Sequence, residues 1–531
     1  MTVTAVLLDQ AGWTFIEDTL KASQENPLLT PKLIEQLRAL NAQTILIEDE
    51  YIDRDFTDAF AAYYSRLFKR HTKICKRIHF FSCDLNAALN SPTVRGLATA
   101  LQDCQQDYIG FIVLRPVHQA PIASAVLKVP PSPAGCEQHS LVKARYHVHI
   151  LGADLYVDAL PMTQQDQRIG ACAQASIWSA ARHFHARHRG PWVSMVGITE
   201  AAMMQEDFGV SLTLPNGSEF LSLRGMVSAL RGSGRKPLIY IGNGTGHANW
   251  PGIRPADVIN RYVDSGIPVI VGLGGGSISH AVIASGQVFS QQPPAALPPR
   301  PTRASFCSAF YINDDQRGPN LRMAINAGDP IGETTYNLAD NVEFLIIPLP
   351  DKVFLPAEKA ELFSWDLIGK YANSWPTISG NPQVQLGTSQ QLGDEFVAAW
   401  NANEIVARTY LTYGWKYKHR MLRNNLTNAT HDLLSETELP RYVWVTEFGT
   451  LASFSATDMY QRRIYAHCVV DATAKNMGDD SCLFFHAPGL VLRRVHSAAD
   501  SFGAYELSTH IIQDDELYYP KLRGNIDFQG Y

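Results

Sequence analysis

Short apolar runs separated by glycine, proline and polar turns make up most of this chain, and helical periodicity is limited to a few segments. In the first 155 or so residues, aromatic and aliphatic positions recur at helical spacing at Phe56, Phe60, Tyr63, Tyr64 and Leu67. GFIVLRPV (110–117) and ARYHVHILGADLYV (144–157) have the pattern of strands. The turn-rich segment 128–138 connects them. The pattern predicts an N-terminal α+β region over residues 1–158.

The pattern changes in the middle of the chain. A helix signal follows Cys172, and five short β-type runs come after it: PLIYIG, IPVIVGL, HAVIASG, AFYIND and VEFLIIPL. A helical half therefore precedes a β half over residues 159–350. In the remainder, 351–531, we predict a helix near 394–412 and strands in RYVWVTEF, YAHCVVDAT and GLVLRRV. This gives a third α+β region.

Residues 266–286 carry no formal charge over about the length that a bilayer requires. Glycines cluster in the middle of this segment, however, and both flanks are short runs of Val, Ile and Ala. We therefore predict two buried strands rather than a membrane span.

Composition narrows the class of protein further. A length of 531 residues favours two or three domains, and 46% apolar with 18% charged residues is typical of a globular protein. A net charge of −6 predicts no strong attraction to nucleic acid or anionic lipid. The N-terminus, MTVTAVLLDQAGWTF, lacks the pattern of a secretion signal. Eight scattered cysteines show no disulfide or zinc spacing, so we expect a cytoplasmic protein.

Two residues in the middle region suggest thiol chemistry. Cys172 stands at the start of a predicted helix, where unpaired N–H groups and the helix dipole favour a thiolate. His280 begins the strand HAVIASG after the glycine-rich segment 272–277, so its ring is expected at a strand end, facing a cleft. A single cysteine or histidine is more often a buried structural residue. The ordered combination with the residues below favours catalysis.

Other residues of the middle region are candidates for orienting the base and for stabilising the oxyanion. Asn313 and Asp314 follow the strand AFYI, where either side chain could accept the second imidazole hydrogen. Gln165 and Gln167 precede the thiol by seven and five positions, and either amide could donate to an oxyanion beside the Cys172 backbone amide.

The order of Gln, Cys on a helix, His opening a strand and Asp or Asn after a further strand resembles the papain-like cysteine peptidases. Within them the chain is most similar to bacterial peptidases that cleave leader peptides for bacteriocin export, and to their stand-alone relatives. HAVIASG resembles the family's histidine strand, and YINDDQRG its acidic turn. The resemblance covers roughly residues 160–350. It implies a papain-like core in which Cys172 is the nucleophile, His280 the base, Asp314 the orienting residue and Gln165 the oxyanion amide.

Two positions depart from the family pattern. Ala173 stands where the family commonly has glycine, and Asp315 where the leader peptidases usually have proline. The second departure leaves Asn313 as an alternative to Asp314, and spacing leaves Gln167 as an alternative to Gln165.

The resulting expectation is a thiol peptidase that acts on a restricted protein or peptide substrate, with no metal or organic cofactor. Using the same thiol, a transglutaminase or deamidase is an alternative, and a catalytically silent scaffold is another. A partner protein or a homo-oligomer is compatible with the flanking regions, whereas nucleic acid and membrane partners are not expected.

Two other groupings are expected to be structural. His183, His185 and His188 fall at the end of the helix that begins near Cys172, where positive side chains complement the helix dipole. His467 and Cys468 are adjacent in a predicted strand and therefore point to opposite faces.

Overall fold

The first part of the protein alternates helices and strands in its computed structural model. The structure describes residues 3–21, 28–91, 93–166, 171–203, 221–276, 278–294, 296–385, 387–423, 426–458, 461–475, 478, 481–496 and 505–513. The first elements are β1 (Val3–Leu7), α1 (Gln10–Leu20), α2 (Leu29–Ala39), β2 (Thr44–Tyr51), α3 (Arg54–Ala62), β3 (Cys75–Phe81), α4 (Asn86–Leu89), α5 (Val94–Asp103), β4 (Tyr108–Leu114) and β5 (Ile122–Leu127). Strands β1 to β5 form one antiparallel sheet in sequence order.

Three further strands follow before the first long helix: β6 (Cys136–Ser140), β7 (Ala144–Ile150) and β8 (Ala153–Ala159). β7 and β8 pair as an antiparallel hairpin, which confirms the strand prediction over 144–157. β6 instead joins the sheet of the middle region, where Ser140 lies opposite Gly286. The middle sheet therefore includes a strand from within the predicted N-terminal region.

The middle region begins with helices and continues as a sheet. Its elements are α6 (Cys172–His188), α7 (Met195–Met203), α8 (Leu223–Gly232), β9 (Lys236–Ile241), α9 (Pro255–Asp264), β10 (Val269–Gly275), β11 (Ile278–Ser290), β12 (Cys307–Asp314), β13 (Gly318–Ala324), α10 (Leu338–Asn341) and β14 (Val342–Leu349). The sheet is antiparallel in the order β13-β12-β11-β10-β14-β9, and β6 also pairs with β11. β11 therefore lies centrally, and the prediction of an α+β protein is confirmed.

The last region packs helices on a third antiparallel sheet. Its elements are α11 (Ala357–Ser379), α12 (Pro382–Gln385), α13 (Thr388–Asn401), β15 (Ile405–Tyr413), α14 (Gly414–Met421), α15 (Asn428–Glu436), β16 (Tyr442–Thr450), α16 (Leu451–Ser455), β17 (Ala466–Asp471), β18 (Cys482–Ala487), β19 (Leu490–His496) and β20 (Tyr505–Ile511). β15 to β20 pair in sequence order. The strands predicted in RYVWVTEF, YAHCVVDAT and GLVLRRV are confirmed.

The helix predicted near 394–412 is wrong in its second half. α13 ends at Asn401, and Asn403 has a φ of 58°, a left-handed conformation that stops the helix. The following segment, IVARTYLTY, is rich in β-branched and aromatic residues and forms β15. β15 pairs along its full length with β16, so tertiary packing decides the outcome.

The segment 266–286 forms the β10–β11 hairpin, as predicted. In the part of the chain that the structure describes, no helix combines the length and apolar character needed to cross a membrane. Ile177 of α6, Val282 of β11 and Trp444 of β16 belong to one buried apolar cluster. The middle and last regions thus share a core that holds α6 and β11 in place.

Candidate active site

Cys172 is the first residue of α6 and is partly exposed. The helix starts after Ala171, whose backbone is extended and whose N–H is accepted by Gln174 Oε1 at 3.1 Å. The first N–H groups of a helix have no intrahelical partner, and its dipole favours negative charge there. The sulfur is therefore carried by the first residue of the helix, at the end where the N–H groups lack intrahelical partners.

A hydrogen bond fixes this helix end against the strand that carries the histidine. Ser176, one turn after Cys172, donates through Oγ to the carbonyl of Ala281 at 3.1 Å, and both groups are buried. Ala281 directly follows His280 in β11. The bond thus aligns the start of α6 with His280, although the two segments are more than a hundred residues apart.

His280 lies two residues into β11 rather than at its first position, opposite Leu273 of β10. Its side chain is 6% exposed. The side chain of Cys172 lies close enough to the imidazole of His280 to contribute to raising the pKa of the histidine. Among the described residues, however, buried Nδ1 has no hydrogen-bond partner of ordinary geometry. The thiol and the ring are therefore neighbours without a fully formed hydrogen bond, as is common in catalytic pairs without substrate.

Asp314, the last residue of β12, forms a hydrogen bond with the other nitrogen of the His280 ring. Its Oδ1 lies 3.0 Å from Nε2 of His280. The carboxylate also accepts from the hydroxyl of Tyr336 at 2.5 Å, from Nη1 of Arg317 at 3.1 Å and from the backbone N–H groups of Gln316 and Arg317. So many donors fix its orientation and stabilise its negative charge.

His280 and Asp314 each shift the pKa of the other in the direction that favours its charged form. Burial alone would lower the pKa of His280, but the charge and hydrogen bond of Asp314, together with Cys172 and Asp315, raise it well above its ordinary value. Burial acts to raise the pKa of Asp314, but the charge and hydrogen bond of His280, with Tyr336 and Arg317, hold it below its ordinary value. An imidazolium paired with a carboxylate is the result.

Asn313, the alternative to Asp314, faces away from the histidine. Its Nδ2 donates to the carbonyls of Leu160 and Pro161, each at 3.1 Å, and its Oδ1 accepts the N–H of Asn320 at 3.0 Å. Adjacent strand residues point to opposite faces, which explains why only one of the pair reaches His280. Asn313 instead attaches β12 to the segment that leads towards α6.

Asp315 is a second carboxylate at this site. It is 4% exposed, and its Oδ1 lies 3.7 Å from Nε2 of His280. Among the described residues neither of its carboxylate oxygens has a hydrogen-bond partner. Burial and the negative charge of Asp314 raise the pKa of Asp315 to about 7, against the opposing charge of His280. Asp315 therefore carries a proton over much of the acidic range.

The glutamines are less clearly related to the thiol. Gln165 is buried and lines a cavity of about 30 Å³ with Asp166 and Trp178. Among the described residues no hydrogen bond joins Gln165 to Cys172. Gln167, the alternative, lies outside the described residues. Gln174 was not singled out from the sequence, yet its buried Nε2 has no hydrogen-bond partner in the described part of the chain.

A metal ion could be considered at the same place. His280, Asp314 and Asp315 bring potential ligand atoms within 4.8 Å of one another. A metal there would have to displace the hydrogen bonds that Asp314 accepts from His280, Tyr336 and Arg317. The described contacts therefore fit an ion pair better than a metal centre.

The two other histidine groupings make structural contacts, in which His183 and His467 are buried and His185 is exposed. Nε2 of His183 lies 3.1 Å from the carbonyl of Gly266, and Nδ1 of His185 lies 2.8 Å from that of Gly190. His467 is buried in β17, with Nε2 at 2.7 Å from the hydroxyl of Tyr417. These bonds give each ring a structural role.

Sequence reasoning did not find Tyr336 or Ser176. Tyr336 follows Asp314 by 22 positions in an irregular segment, and no spacing rule connects the two residues. Arg317 did have a signal, because it follows Asp314 by three positions within the predicted turn.

Comparison of the chain with protein-family models, with curated proteins and with solved structures found no match. Function is consequently inferred from this chain's own residues and their geometry.

Proposed function

We propose that this protein is a papain-like cysteine peptidase that cleaves a restricted protein or peptide substrate. The observation that carries the proposal is the meeting of Cys172 at the start of α6, His280 on β11 and Asp314 at the end of β12. A helix-borne thiol, a base and a residue that orients the base are the three parts that thiol acyl transfer needs. The succession of helices and an antiparallel sheet is compatible with the papain-like core that the sequence resemblance implies.

The reaction follows from these roles. The thiolate of Cys172 attacks the carbonyl carbon of a peptide bond, and the carbonyl oxygen takes the negative charge. His280 donates its proton to the leaving amine, which departs and leaves a thioester. Neutral His280 then takes a proton from a water molecule as the water oxygen attacks the thioester, and the tetrahedral adduct collapses to release the carboxylic acid and restore the Cys172 thiolate beside protonated His280. Asp314 keeps the ring oriented throughout and stabilises its charged form.

Negative charge on the carbonyl oxygen needs donors. The N–H of Cys172 belongs to the first turn of α6, whose amides lack intrahelical partners. We assign a side-chain amide to the same task and keep Gln165 as the candidate. Gln165→Ala is expected to lower kcat by about 10²-fold or more if the amide acts on the oxyanion. Gln164→Ala is the matched control, because Gln164 Oε1 accepts the N–H of Ile122 at 3.1 Å and has a structural role.

The N-terminal region supports a restricted substrate range. It lies against α6, where Arg182 pairs with Asp55 at 2.7 Å, and Asp58 accepts a hydrogen bond from Ser194 just before α7. A helix that another region contacts in this way leaves less room for arbitrary chains on that side. Broad digestion of unstructured proteins would contradict this part of the proposal.

The test uses the intact protein and a mixture of peptides of diverse sequence, with products and covalent adducts followed by mass spectrometry. We expect cleavage of a small subset and a thioester adduct on Cys172. Both should disappear in Cys172→Ala and persist in Cys136→Ala, which removes another partly exposed cysteine. Ammonia release without chain cleavage would replace the proposal by a transglutaminase or deamidase. Unlabelled Cys172 with no product would replace it by a binding scaffold.

A further inference from the structure

Two cysteines of the N-terminal region, Cys83 and Cys104, lie next to each other in the folded chain. Their thiols are joined by a side-chain hydrogen bond. Both side chains are partly exposed, and both pack against the same buried apolar cluster, to which Leu85 and Leu101 belong. The helices α4 and α5 separate the two cysteines in the sequence, so the fold rather than local spacing brings the sulfur atoms together.

Hydrogen bonds beside the pair hold the two segments that carry these cysteines. Ser82, which precedes Cys83, donates through its N–H to the carbonyl of Asp107 at 2.8 Å and through Oγ to the Asp107 carboxylate at 3.0 Å. The carbonyl of Cys83 accepts the hydroxyl of Thr44, on β2, at 2.8 Å. Asp107 ends the short turn Cys104–Asp107, which leads from α5 into β4. The two segments therefore stay together, as a disulfide between them requires.

Cys83 is a poor first nucleophile. Burial, followed by the hydrogen bond and the charge of Cys104, raises the pKa of Cys83 to about 12. Because only a thiolate attacks a disulfide, Cys83 at neutral pH acts as a hydrogen-bond donor to its neighbour. Oxidation of the pair therefore starts at Cys104. Cys83 takes part in the second step, where the fold presents the neighbouring sulfur at a high effective concentration.

We propose that Cys83 and Cys104 form a reversible disulfide when the protein meets an oxidised low-molecular-weight disulfide such as glutathione disulfide. Cys104 loses its proton to water, and its thiolate attacks one sulfur of glutathione disulfide, which gives a mixed disulfide and releases one glutathione thiolate. Cys83 then attacks the sulfur of Cys104, and its proton passes to the departing second glutathione. Two protein thiols are thus oxidised to one disulfide, and one glutathione disulfide is reduced to two glutathione molecules. The inference does not depend on the proposed peptidase activity, because neither cysteine belongs to the candidate active site.

The disulfide closes a loop that contains α4 and α5. The end of α5 and the turn after it contact the β7–β8 hairpin, since Gln102 Nε2 donates to the carbonyl of Asp154 at 2.6 Å and Gln105 Nε2 to that of Tyr156 at 2.9 Å. Closing a loop removes conformations from the unfolded chain and so stabilises the folded one. We therefore expect oxidation to stabilise the part of the N-terminal region that contacts this hairpin.

The test incubates the intact protein with glutathione disulfide and identifies linked peptides by mass spectrometry without reduction. We expect a linkage between Cys83 and Cys104 that forms at least about tenfold faster in the folded protein than in denaturant, because the fold raises the effective concentration of one thiol beside the other. Excess reduced glutathione should reverse it. Cys83→Ser should keep a mixed disulfide with glutathione on Cys104, because the second thiol is missing. Cys136→Ser, which removes another partly exposed cysteine, is the matched control and should retain the linkage.

A second readout is the melting temperature of the protein. It should rise on oxidation and return on reduction in the unmodified chain and in Cys136→Ser, whereas Cys83→Ser should not respond. Absence of the linkage, equal rates of its formation in folded and denatured protein, or an equal rise in Cys83→Ser would overturn the proposal. A mixed disulfide with glutathione that persists on Cys104 of the unmodified chain would also overturn it, in favour of modification at a single thiol.

Discussion

Nε2 of His280 lies 3.0 Å from Oδ1 of Asp314, and neither side chain is more than 6% exposed. The raised pKa of His280 contributes stability that is fully present below about 6.5, the ordinary value for histidine, and is lost as pH rises through the value in the folded protein. The lowered pKa of Asp314 contributes stability above about 3.9 that is lost as pH falls. The pair therefore stabilises the fold most between about pH 4 and 6.5.

Asp314→Asn tests the role of the carboxylate. The amide keeps the size of the side chain but removes the charge that holds His280 protonated, so we expect alkylation of Cys172 at pH 6 to slow by about 10²-fold or more. Asn313→Ala is the neighbouring control. It should lower stability by about 1–3 kcal/mol through lost hydrogen bonds and leave the pH profile of alkylation unchanged. Equal profiles in the two variants would contradict the assignment of Asp314.

Tyr336→Phe removes a hydroxyl that donates to Asp314 at 2.5 Å. Because this bond helps to lower the pKa of Asp314, its loss should move the acid-induced fall in melting temperature to higher pH. We also expect a loss of about 1.5–3 kcal/mol at pH 6, typical of a hydrogen bond to a charged group. Tyr311→Phe breaks a bond of similar length to the neutral amide of Gln138 and should leave the acid limb in place. Matching curves for the two variants would refute the assignment.

Asp315→Asn should stabilise the protein in alkaline solution. The pKa of Asp315 is raised from 3.8 to about 7, so its ionisation costs stability progressively as pH rises through that interval. A neutral amide of the same shape avoids this cost. The variant also loses the attraction between ionised Asp315 and His280, but this attraction is smaller than the cost of ionisation and offsets it only in part. We expect a melting temperature higher than that of the original protein at pH 8 and little changed at pH 4. Asp351→Asn, at an exposed position, should change neither value. A lower melting temperature at pH 8 would show that Asp315 is needed as a carboxylate.

Asn313, Asp314 and Tyr336 show how much of this site could be predicted from the sequence. A small turn motif was enough to predict that Asn313 or Asp314 would meet His280, because both lie at the end of the same strand. Choosing between them needed the orientation of β12, which places Asn313 on the carbonyls of Leu160 and Pro161. Tyr336 could not be predicted, since its contact with Asp314 arises from chain folding alone.

In the fold, too, local features could be predicted from the sequence, whereas contacts between distant segments could not. The local sequence pattern over 144–157 was sufficient to predict β7 and β8, which pair with each other. β6 pairs instead with β11, and no local pattern indicates so distant a partner. The predicted helix near 394–412 includes most of β15, because apolar spacing is ambiguous over a short run, whereas pairing with β16 decides the conformation of this segment.

Arg408 connects the middle and last regions through a buried ion network. Its Nε lies 2.9 Å from Asp264 of α9 and its Nη1 3.4 Å from Glu447 of β16, and all three side chains are almost fully buried. Arg408→Met leaves two carboxylates without this partner, so we expect a loss of about 3–5 kcal/mol, followed by thermal unfolding. Arg300→Gln is the control, because its pair with Asp366 is exposed and should contribute no more than about 1 kcal/mol. Similar losses in the two variants would contradict a role for this network in joining the regions.

The proposed function requires Cys172 and His280 to act as one reactive pair. Its most direct test is the rate at which iodoacetamide labels each of the eight cysteines between pH 5 and 8, measured by peptide mapping on the intact protein and on His280→Ala. We expect Cys172 to be labelled fastest at pH 5–6, where ordinary thiols are protonated, and we expect His280→Ala to abolish this preference. Labelling of Cys172 that is no faster than that of the other cysteines, or that is unchanged by His280→Ala, would contradict it.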